Sequence, residues 1–320
     1  MKKVSLYILF ILVVCNEIQA QQLPYYTQYR SNIFLLNPAV TGTKRTVDAR
    51  LGYRYQWAGY DGAPRTSMVS AHGRFFKGKM GAGLFMVQDR IGPSKQTNLG
   101  VNYAFHIRFP DCELSMGAGG LFTKYTLEGG DITLHNTVDP SINQYIASSV
   151  WVPDVNAGIY LYNDRFHIGV GALHLAQQKA NFYKGDSAKH GKIPYSAHVN
   201  LSVGYNFAQN PEYVWESNVL ATYVTGVPLF LDYTLRLHIK EKMLCGLSLR
   251  LHDAVALHLG VTFLEDFQVT YSYDFLLSKM RHTNSGSHEI VITYSMKPLR
   301  GKKHGKTDNQ FVKQKYGYMF

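Results

Sequence analysis

The feature that most constrains the fold is a strict alternation of apolar and polar residues, which recurs in short segments along the chain. In the segment 46–57, every second residue from Val47 to Trp57 is apolar, and the residues between them are polar or small. The segments 96–109 and 195–207 repeat the pattern. Because alternate side chains of a β-strand point to opposite faces, the pattern predicts strands with one apolar face and one polar face.

The composition indicates which kind of β-sheet protein this is. Charged residues make up only 17% of the 320 residues, whereas tyrosine (23) and phenylalanine (17) are abundant. Soluble proteins contain about 25% charged residues, and the outer faces of a soluble sandwich would carry many of them. Strands that face lipid on one side and a polar lumen on the other have few charges and many aromatic residues. We therefore predict an all-β fold, a transmembrane antiparallel β-barrel.

The alternating segments predict about fourteen strands, an even number as bacterial single-chain barrels require. They are 46–57, 65–76, 80–88, 96–109, 113–126, 154–163, 166–175, 195–207, 213–224, 229–240, 243–252, 254–263, 267–275 and 287–296. Outside the first twenty residues no apolar run reaches the length of a membrane-spanning helix. A membrane protein of this kind must close its sheet, because backbone polar groups in lipid need internal partners.

The connections between the predicted strands alternate in length. Tight connections follow the even-numbered strands, at 77–79, 110–112, 163–165, 241–242 and 265–266. Long connections follow odd-numbered strands, at 127–153, 176–194 and 276–286. Outer-membrane barrels have short periplasmic turns and longer extracellular loops. This parity predicts a protein of the cell outer membrane with both termini in the periplasm.

The first residues are typical of an export signal. Two lysines precede an apolar core at 4–14, and Ala20 supplies a small residue at the predicted cut. The alternative is a lipoprotein signal with Cys15 as the attachment site, although Val14 is bulky for that role. The predicted organisation is a signal peptide at 1–20, an N-terminal periplasmic segment at 21–45, an outer-membrane β-barrel at 46–296 and a basic C-terminal tail at 297–320.

The net charge of +11 is concentrated in the tail. Residues 297–320 contain seven Lys/Arg and one Asp, a net charge of +6. A local tail charge of this kind is not a basic face for nucleic acid. The tail is either inert or docks on an acidic surface. The alternating aromatic residues at 312–320 leave open a final strand there.

Two stretches near the start resemble the PorP/SprF family of type IX secretion system membrane proteins. Gln28-Tyr29 followed by Asn37-Pro38-Ala39 and Gly42 matches the first family motif, Q-Y-x(n)-N-P-A-x-x-G. The second motif, R-x-Q-W-x-x-x-x-G-A-P-x-T, matches at Arg54, Gln56, Trp57, Gly62, Ala63, Pro64 and Thr66. Beyond these motifs the chain is similar to the family in its glycine-rich aromatic strands.

The resemblance implies an outer-membrane barrel that acts with the secretion or gliding motility apparatus. Some members are thought to retain secreted adhesins at the cell surface. The implied partners are secreted adhesin or cargo proteins, periplasmic and outer-membrane secretion-system proteins, and outer-membrane lipid. The alternative function is a pore or transporter for small solutes, since both classes of protein have polar lumens.

The motif residues also have structural interpretations. Asn37-Pro38 punctuates the end of an extended segment, and Gly42 suits a turn with positive φ. Gly62-Ala63-Pro64 suits the first hairpin loop, with proline where a missing donor is tolerated. Trp57 and Tyr60 are predicted to join an interfacial aromatic girdle.

Arg54 and Gln56 share the polar face of the first predicted strand. We interpret them first as lumen side chains bonded to neighbouring strands, with a contact to cargo as the alternative. A buried arginine needs an acceptor, and Asp48 lies on the same face.

The sequence predicts no enzymatic function, no cofactor and no metal site. The G-x-S-x-G and HExxH motifs are absent from the sequence. The glycine-rich stretch 117–120 lacks the Lys-Ser/Thr that follows a phosphate loop. A membrane phospholipase would need an outward histidine and serine pair, and His174 is the histidine that fits a lipid-facing row.

Overall fold

The computed structural model describes residues 25–44, 46–128, 148–181, 192–210, 212–264 and 266–296. Within them, fourteen antiparallel strands close into a barrel in which each strand pairs with its neighbours in sequence, and the first strand pairs with the last. A separate two-stranded hairpin interrupts this order between the seventh and eighth barrel strands. The predicted fold class and strand number are confirmed. The predicted signal peptide and basic tail lie outside the described residues.

The barrel strands run from Val47 to Met296. They are β1 (Val47–Tyr55), β2 (Arg65–Phe75), β3 (Met80–Ile91), β4 (Ser94–Arg108), β5 (Glu113–Leu127), β6 (Ser148–Tyr162), β7 (Phe166–Leu173), β10 (His198–Asn210), β11 (Tyr213–Val224), β12 (Phe230–Ile239), β13 (Met243–Arg250), β14 (Ala254–Phe263), β15 (Phe267–Leu276) and β16 (Ser287–Met296). The hairpin consists of β8 (Lys179–Asn181) and β9 (Lys192–Pro194). We call the end of the barrel that carries the β5–β6, β7–β10 and β15–β16 connections the loop end, and the opposite end the turn end.

The alternation in sequence becomes an alternation between the two surfaces of the wall. In β4, Leu99, Val101 and Tyr103 are exposed on the outer face, whereas Asn98 and Asn102 are buried inside. An apolar outer face with a polar interior is the reverse of the arrangement in a soluble protein, and it is the arrangement that surrounding lipid favours.

The sequence placed the start of β6 six residues too late. The strand begins at Ser148 and not at 154, with Pro153 inside it opposite Phe122 of β5. Val155 accepts a hydrogen bond from the Leu175 N–H on the β7 side, and Pro153 has the same orientation two residues earlier. Its missing donor therefore faces the side on which β6 is unpaired before Ala157, where proline is tolerated.

Residues 25–44 lie inside the barrel, and we call this segment the plug. It contains two short 3-10 helices, Tyr29–Leu35 and Pro38–Val40, and most of its side chains are buried. The prediction of a separate periplasmic segment at 21–45 is therefore wrong for the part that the structure describes. No helix within the described residues is long and apolar enough to cross a bilayer.

A lumenal plug as the candidate functional site

The first motif forms a tight turn of the plug against the barrel wall. The Asn37 side-chain oxygen accepts a hydrogen bond from the Ala39 N–H at 2.9 Å, which caps the short helix Pro38–Val40. Pro38 occupies the first helical position, where its missing N–H costs nothing. The Asn37 amide then donates to the Ile159 carbonyl of β6 at 3.2 Å. Asn37 thus both shapes the turn and fastens it to the wall.

The wall facing this turn is built of glycine. A Cβ on Gly117 would lie 2.4 Å from the Ala39 nitrogen, and one on Gly158 would lie 2.1 Å from the Asn37 side-chain oxygen. A Cβ on Gly171 would lie 2.2 Å from the Leu36 carbonyl oxygen. Side chains at these positions would occupy the space of the plug. The glycine-rich stretch 117–120 therefore includes Gly117, which lies directly against the plug.

Gly42 ends the first motif where the plug turns towards β1. Its φ is +73°, which confirms the predicted positive-φ turn. A Cβ there would lie 2.8 Å from the Gly81 Cα and 2.9 Å from the Gly73 carbonyl oxygen. Glycine is required at this position for both its backbone conformation and its close contact with β2 and β3.

Arg54 of the second motif binds the plug. Its guanidinium donates to the Thr27 hydroxyl at 2.6 Å, to Glu289 of β16 at 3.1 Å and to Asp274 of β15 at 2.8 Å. Arg54 is only 2% exposed. The interpretation as a lumen side chain is correct, but the predicted acceptor is wrong, because Asp48 binds Arg50 and not Arg54.

Glu289 joins the two motifs. Its carboxylate accepts hydrogen bonds from the backbone N–H groups of Thr27 at 2.8 Å and Gln28 at 3.2 Å. The Gln28 amide donates to the Glu289 carbonyl at 2.9 Å, and the Thr270 hydroxyl donates to the Gln28 side-chain oxygen. We call Thr27, Gln28, Arg54, Asp274 and Glu289 the latch. Motifs separated in sequence therefore meet in one buried network.

A second buried ion network holds the middle of the plug. Arg30 donates to Glu216 of β11 at 2.5 Å, and Arg236 of β12 donates to the other oxygen of the same carboxylate at 2.9 Å. All three side chains are buried. No sequence signal marks this network, because Arg30 and Glu216 are 186 residues apart.

The rest of the second motif lies at the mouth of the barrel, at the loop end. Gly62, Ala63 and Pro64 belong to the β1–β2 connection, as predicted, and Gln56 N–H donates to the Pro64 carbonyl at 3.0 Å. Trp57 N–H donates to the Ser287 hydroxyl at 3.1 Å.

Two backbone hydrogen bonds tie this loop to the residues just before β16. The Ala58 N–H donates to the Gly286 carbonyl at 2.8 Å, and the Ser285 N–H donates to the Ala58 carbonyl at 2.7 Å. On the wall below, the Thr66 hydroxyl donates to Asp89. These contacts hold the β1–β2 loop firmly. The aromatic girdle proposed for Trp57 and Tyr60 stays a prediction, with Tyr60 49% exposed.

One cavity between the plug and the wall is small. The residues that line this cavity of about 40 Å³ include Tyr26, Leu35, Phe85, Leu121 and His174. Sites for small molecules usually occupy about 300–1,000 Å³. The lipid-facing position predicted for His174 is wrong, because this residue is buried with its Nδ1 3.0 Å from the Asp154 carboxylate.

In the part of the chain that the structure describes, no group of three or more His, Cys, Asp or Glu side chains is arranged to hold a metal ion.

Solved structures that the chain resembles include the outer membrane protein Omp33 of Acinetobacter baumannii, with 9% identity, 80% of this chain and 100% of that chain covered, and a TM-score of 0.44. They also include the CymD monoaromatic hydrocarbon channel, with 12% identity, 82% and 91% covered, and a TM-score of 0.48. A Pseudomonas aeruginosa FadL homologue has 12% identity, 87% and 95% covered, and a TM-score of 0.44. Likenesses this distant carry no argument about function.

Comparison with curated proteins returns no match. The model of one family, "Type IX secretion system membrane protein PorP/SprF", matches residues 18–294. The match covers most of the chain, including both motifs and nearly all of the barrel. The chain therefore belongs to the PorP/SprF family of type IX secretion system membrane proteins.

Proposed function

We propose that this protein is a sealed outer-membrane barrel of the type IX secretion and gliding apparatus that works by binding proteins. It holds secreted surface proteins, such as adhesins, at its loop end and contacts periplasmic secretion partners at its turn end. The single observation that carries the proposal is the plug, which fills the lumen and is fastened by residues of both family motifs. The motif residues thereby act by holding the plug and not by contacting cargo.

The buried charges favour a plug that stays in place. Leaving the lumen would separate Thr27 and Gln28 from the Glu289 carboxylate, and Arg30 from Glu216. Removing one partner from a buried ion pair is strongly unfavourable, because the other charge is left uncompensated. The alternative function, a pore for small solutes, requires a continuous water path past these contacts.

The two ends of the barrel offer surfaces of different kinds. Tight turns such as Asn163-Asp164-Arg165 join the strands at the turn end. The long β5–β6 and β7–β10 connections join strands at the loop end. Barrels of the outer membrane place short turns in the periplasm and longer loops outside. We infer that the loop end faces the cell surface and meets the secreted partner.

The test combines partner capture with electrical recording. Affinity-tagged protein, cross-linked in cells and purified, is expected to retrieve type IX cargo and secretion components identified by mass spectrometry. Deleting 182–191, which lie in sequence between β8 and β9, is expected to reduce cargo recovery while the barrel still shows heat-modifiable migration on gels. Replacing the exposed Lys242 at the turn end with Ala is the matched control and should leave cargo recovery unchanged. A stable ion-selective conductance of wild-type protein in planar bilayers, without such partners, would favour the pore.

A further inference from the structure

The outer face of the barrel wall carries a group of cations at the loop end. In the barrel strands that the structure describes, the Lys and Arg residues on the outer face are Arg65 of β2, Arg90 of β3, Lys95 of β4 and Lys124 of β5. Every Asp and Glu of the same described strands is buried. We call these outward cations the cationic patch, and the charge that the strands present to lipid is therefore of one sign.

Strand pairing places most of the patch in one row. Arg65 pairs directly with Arg90, and Arg90 pairs directly with Lys95. Lys124 lies in the next row, where it pairs with Thr97. Like charges directly opposite each other destabilise a sheet. An anion that lies against this row would therefore stabilise it.

The described chain supplies little negative charge to the patch. Arg90 donates to the Glu128 carboxylate at 3.0 Å, and both side chains of this ion pair are solvent-accessible, at 51% and 35%. Within the described residues, no ion pair joins Arg65, Lys95 or Lys124 to a carboxylate. The described patch therefore keeps a net positive charge.

Aromatic rings flank the patch on both sides. The Arg65 guanidinium lies 5.1 Å from the centre of the Tyr55 ring, and the Lys124 ammonium lies 5.9 Å from the centre of the Trp151 ring. Trp151 is 53% exposed on the outer face. Tyrosine and tryptophan of membrane barrels are enriched at the level of the lipid headgroups. The rings thus indicate that the patch lies at headgroup level.

The wall changes from polar to apolar just below the patch. The outward row next to the cations consists of Ser67, Gln88 and Thr97, which pair with one another across β2, β3 and β4. The following outward row is apolar and exposed, at Val69, Met86 and Leu99. A lipid against this wall would place its headgroup on the polar rows and its acyl chains on the apolar row.

The patch is wider than one phosphate group. Neighbouring strands are about 4.8 Å apart, so the row from Arg65 to Lys95 spans about 10 Å. Arginine binds phosphate with paired hydrogen bonds, and lysine adds a point charge. The hydroxyl and amide groups of Ser67, Gln88 and Thr97 can hydrogen-bond to sugar hydroxyls. The spacing and chemistry suit a sugar headgroup that carries more than one phosphate.

We propose that the cationic patch binds a phosphorylated glycolipid, with its phosphates on Arg65, Arg90, Lys95 and Lys124 and its acyl chains along the apolar row below. This site lies on the outside of the wall and is separate from the plug. The lipid chemistry follows from the patch alone. The assignment of this lipid to the outer leaflet rests on the orientation inferred under the proposed function.

The proposal is tested on detergent-purified protein by native mass spectrometry with added diphosphorylated lipid A. The double variant Arg65→Gln, Lys95→Gln is expected to bind this lipid at least several-fold more weakly than the wild type. The control Lys240→Gln, Lys242→Gln removes the same charge from exposed positions at the turn end and should bind it normally. Equal binding by the wild type and the patch variant overturns the proposal. Heat-modifiable migration checks folding, and if the double variant does not fold, Lys95→Gln alone decides the case by the same comparison.

Further probes identify the source of the phosphate. Lipid A stripped of both phosphates, phosphatidylglycerol and inorganic phosphate are each expected to bind the wild type at least several-fold more weakly than diphosphorylated lipid A. Equally tight binding of the stripped lipid would show that the phosphates are not recognised. Equal binding of phosphatidylglycerol would overturn the preference for a glycolipid with more than one phosphate. Displacement of lipid A by the same concentration of inorganic phosphate would make the patch a site for free anions and would overturn the lipid assignment.

Discussion

At the scale of single residues, the sequence predicted which side chains face the lumen but not what they bind. Arg54 falls on the polar face of an alternating strand, and that alone predicts an inward guanidinium. Its acceptors are 220 and 235 residues away on β15 and β16. The nearest carboxylate in sequence, Asp48, is taken by Arg50. Which residues of the first and last strands face each other depends on the register of the closed barrel, and the local alternation of residues does not predict that register.

Arg54→Ala is expected to lower barrel stability by about 3 to 5 kcal/mol, because it leaves Glu289 buried without its cation and leaves Asp274 with Arg250 as its cation. Arg54→Lys should lower stability less than Arg54→Ala does, since lysine keeps the charge but not the forked geometry of the guanidinium. Urea unfolding of the protein in detergent micelles, followed by gel mobility, measures the difference. Arg65→Ala, at an exposed position of β2, is the control and should change stability little. Equal losses for Arg54→Ala and Arg65→Ala would show that the latch adds no stability.

Gly117→Ala is expected to displace the plug, because the added Cβ would lie 2.4 Å from backbone atoms that cannot rotate away. Gly120→Ala on the same strand is the matched control, since nothing lies within 4 Å of a Cβ there. Limited proteolysis of the purified protein should cut the plug in the first variant and spare it in the second. Equal resistance of both variants would mean that the glycine wall does not seat the plug.

At the scale of elements, strands were predictable and the plug was not. A period of two over nine or more residues leaves little choice of structure, so most strand limits differ from the prediction by only a few residues. The 3-10 turns of the plug have no such period, and Asn37-Pro38 indicates only a break in regular structure. The predicted strand began after Pro153, whereas β6 includes this proline. The sequence does not show that β6 is unpaired with β7 at Pro153, which is why proline is tolerated there.

Deleting 25–40 is expected to open the barrel to ions. The plug occupies the lumen along its length, and the wall left behind is lined by polar and charged side chains that water can solvate. Planar-bilayer recording should show stable conductance for the deletion and none for the wild type, with heat-modifiable migration confirming a folded barrel. A folded, non-conducting deletion would mean that the wall or the loop-end connections close the lumen without the plug.

At the scale of the whole molecule, the described strands form a closed sheet. β1 pairs with β16 from Val47↔Met296 to Tyr55↔His288, so the barrel has no free edge for a further strand. The alternative of a final strand at 312–320 lies outside the described residues and stays a prediction. The fourteen described strands close the barrel without it.

Deleting 300–320 is accordingly expected to leave a folded, heat-modifiable barrel. If the basic tail docks on an acidic periplasmic partner, the truncated barrel should recover less of that partner, and high salt should reduce recovery by the wild type as well. Normal recovery would make the tail inert. Loss of the folded barrel would show that the segment is read during assembly or belongs to the sheet.

The latch has a consequence for the closure of the barrel. Arg54 and Glu289 face each other across β1 and β16, the seam at which the barrel closes, and Thr27 binds both of them. Closure of the seam and fastening of the plug therefore depend on the same side chains, and the contacts of Thr27 hold the seam from inside. A variant that loosens the seam is expected to loosen the plug as well, so that the closure of the sheet and the sealing of the lumen are coupled.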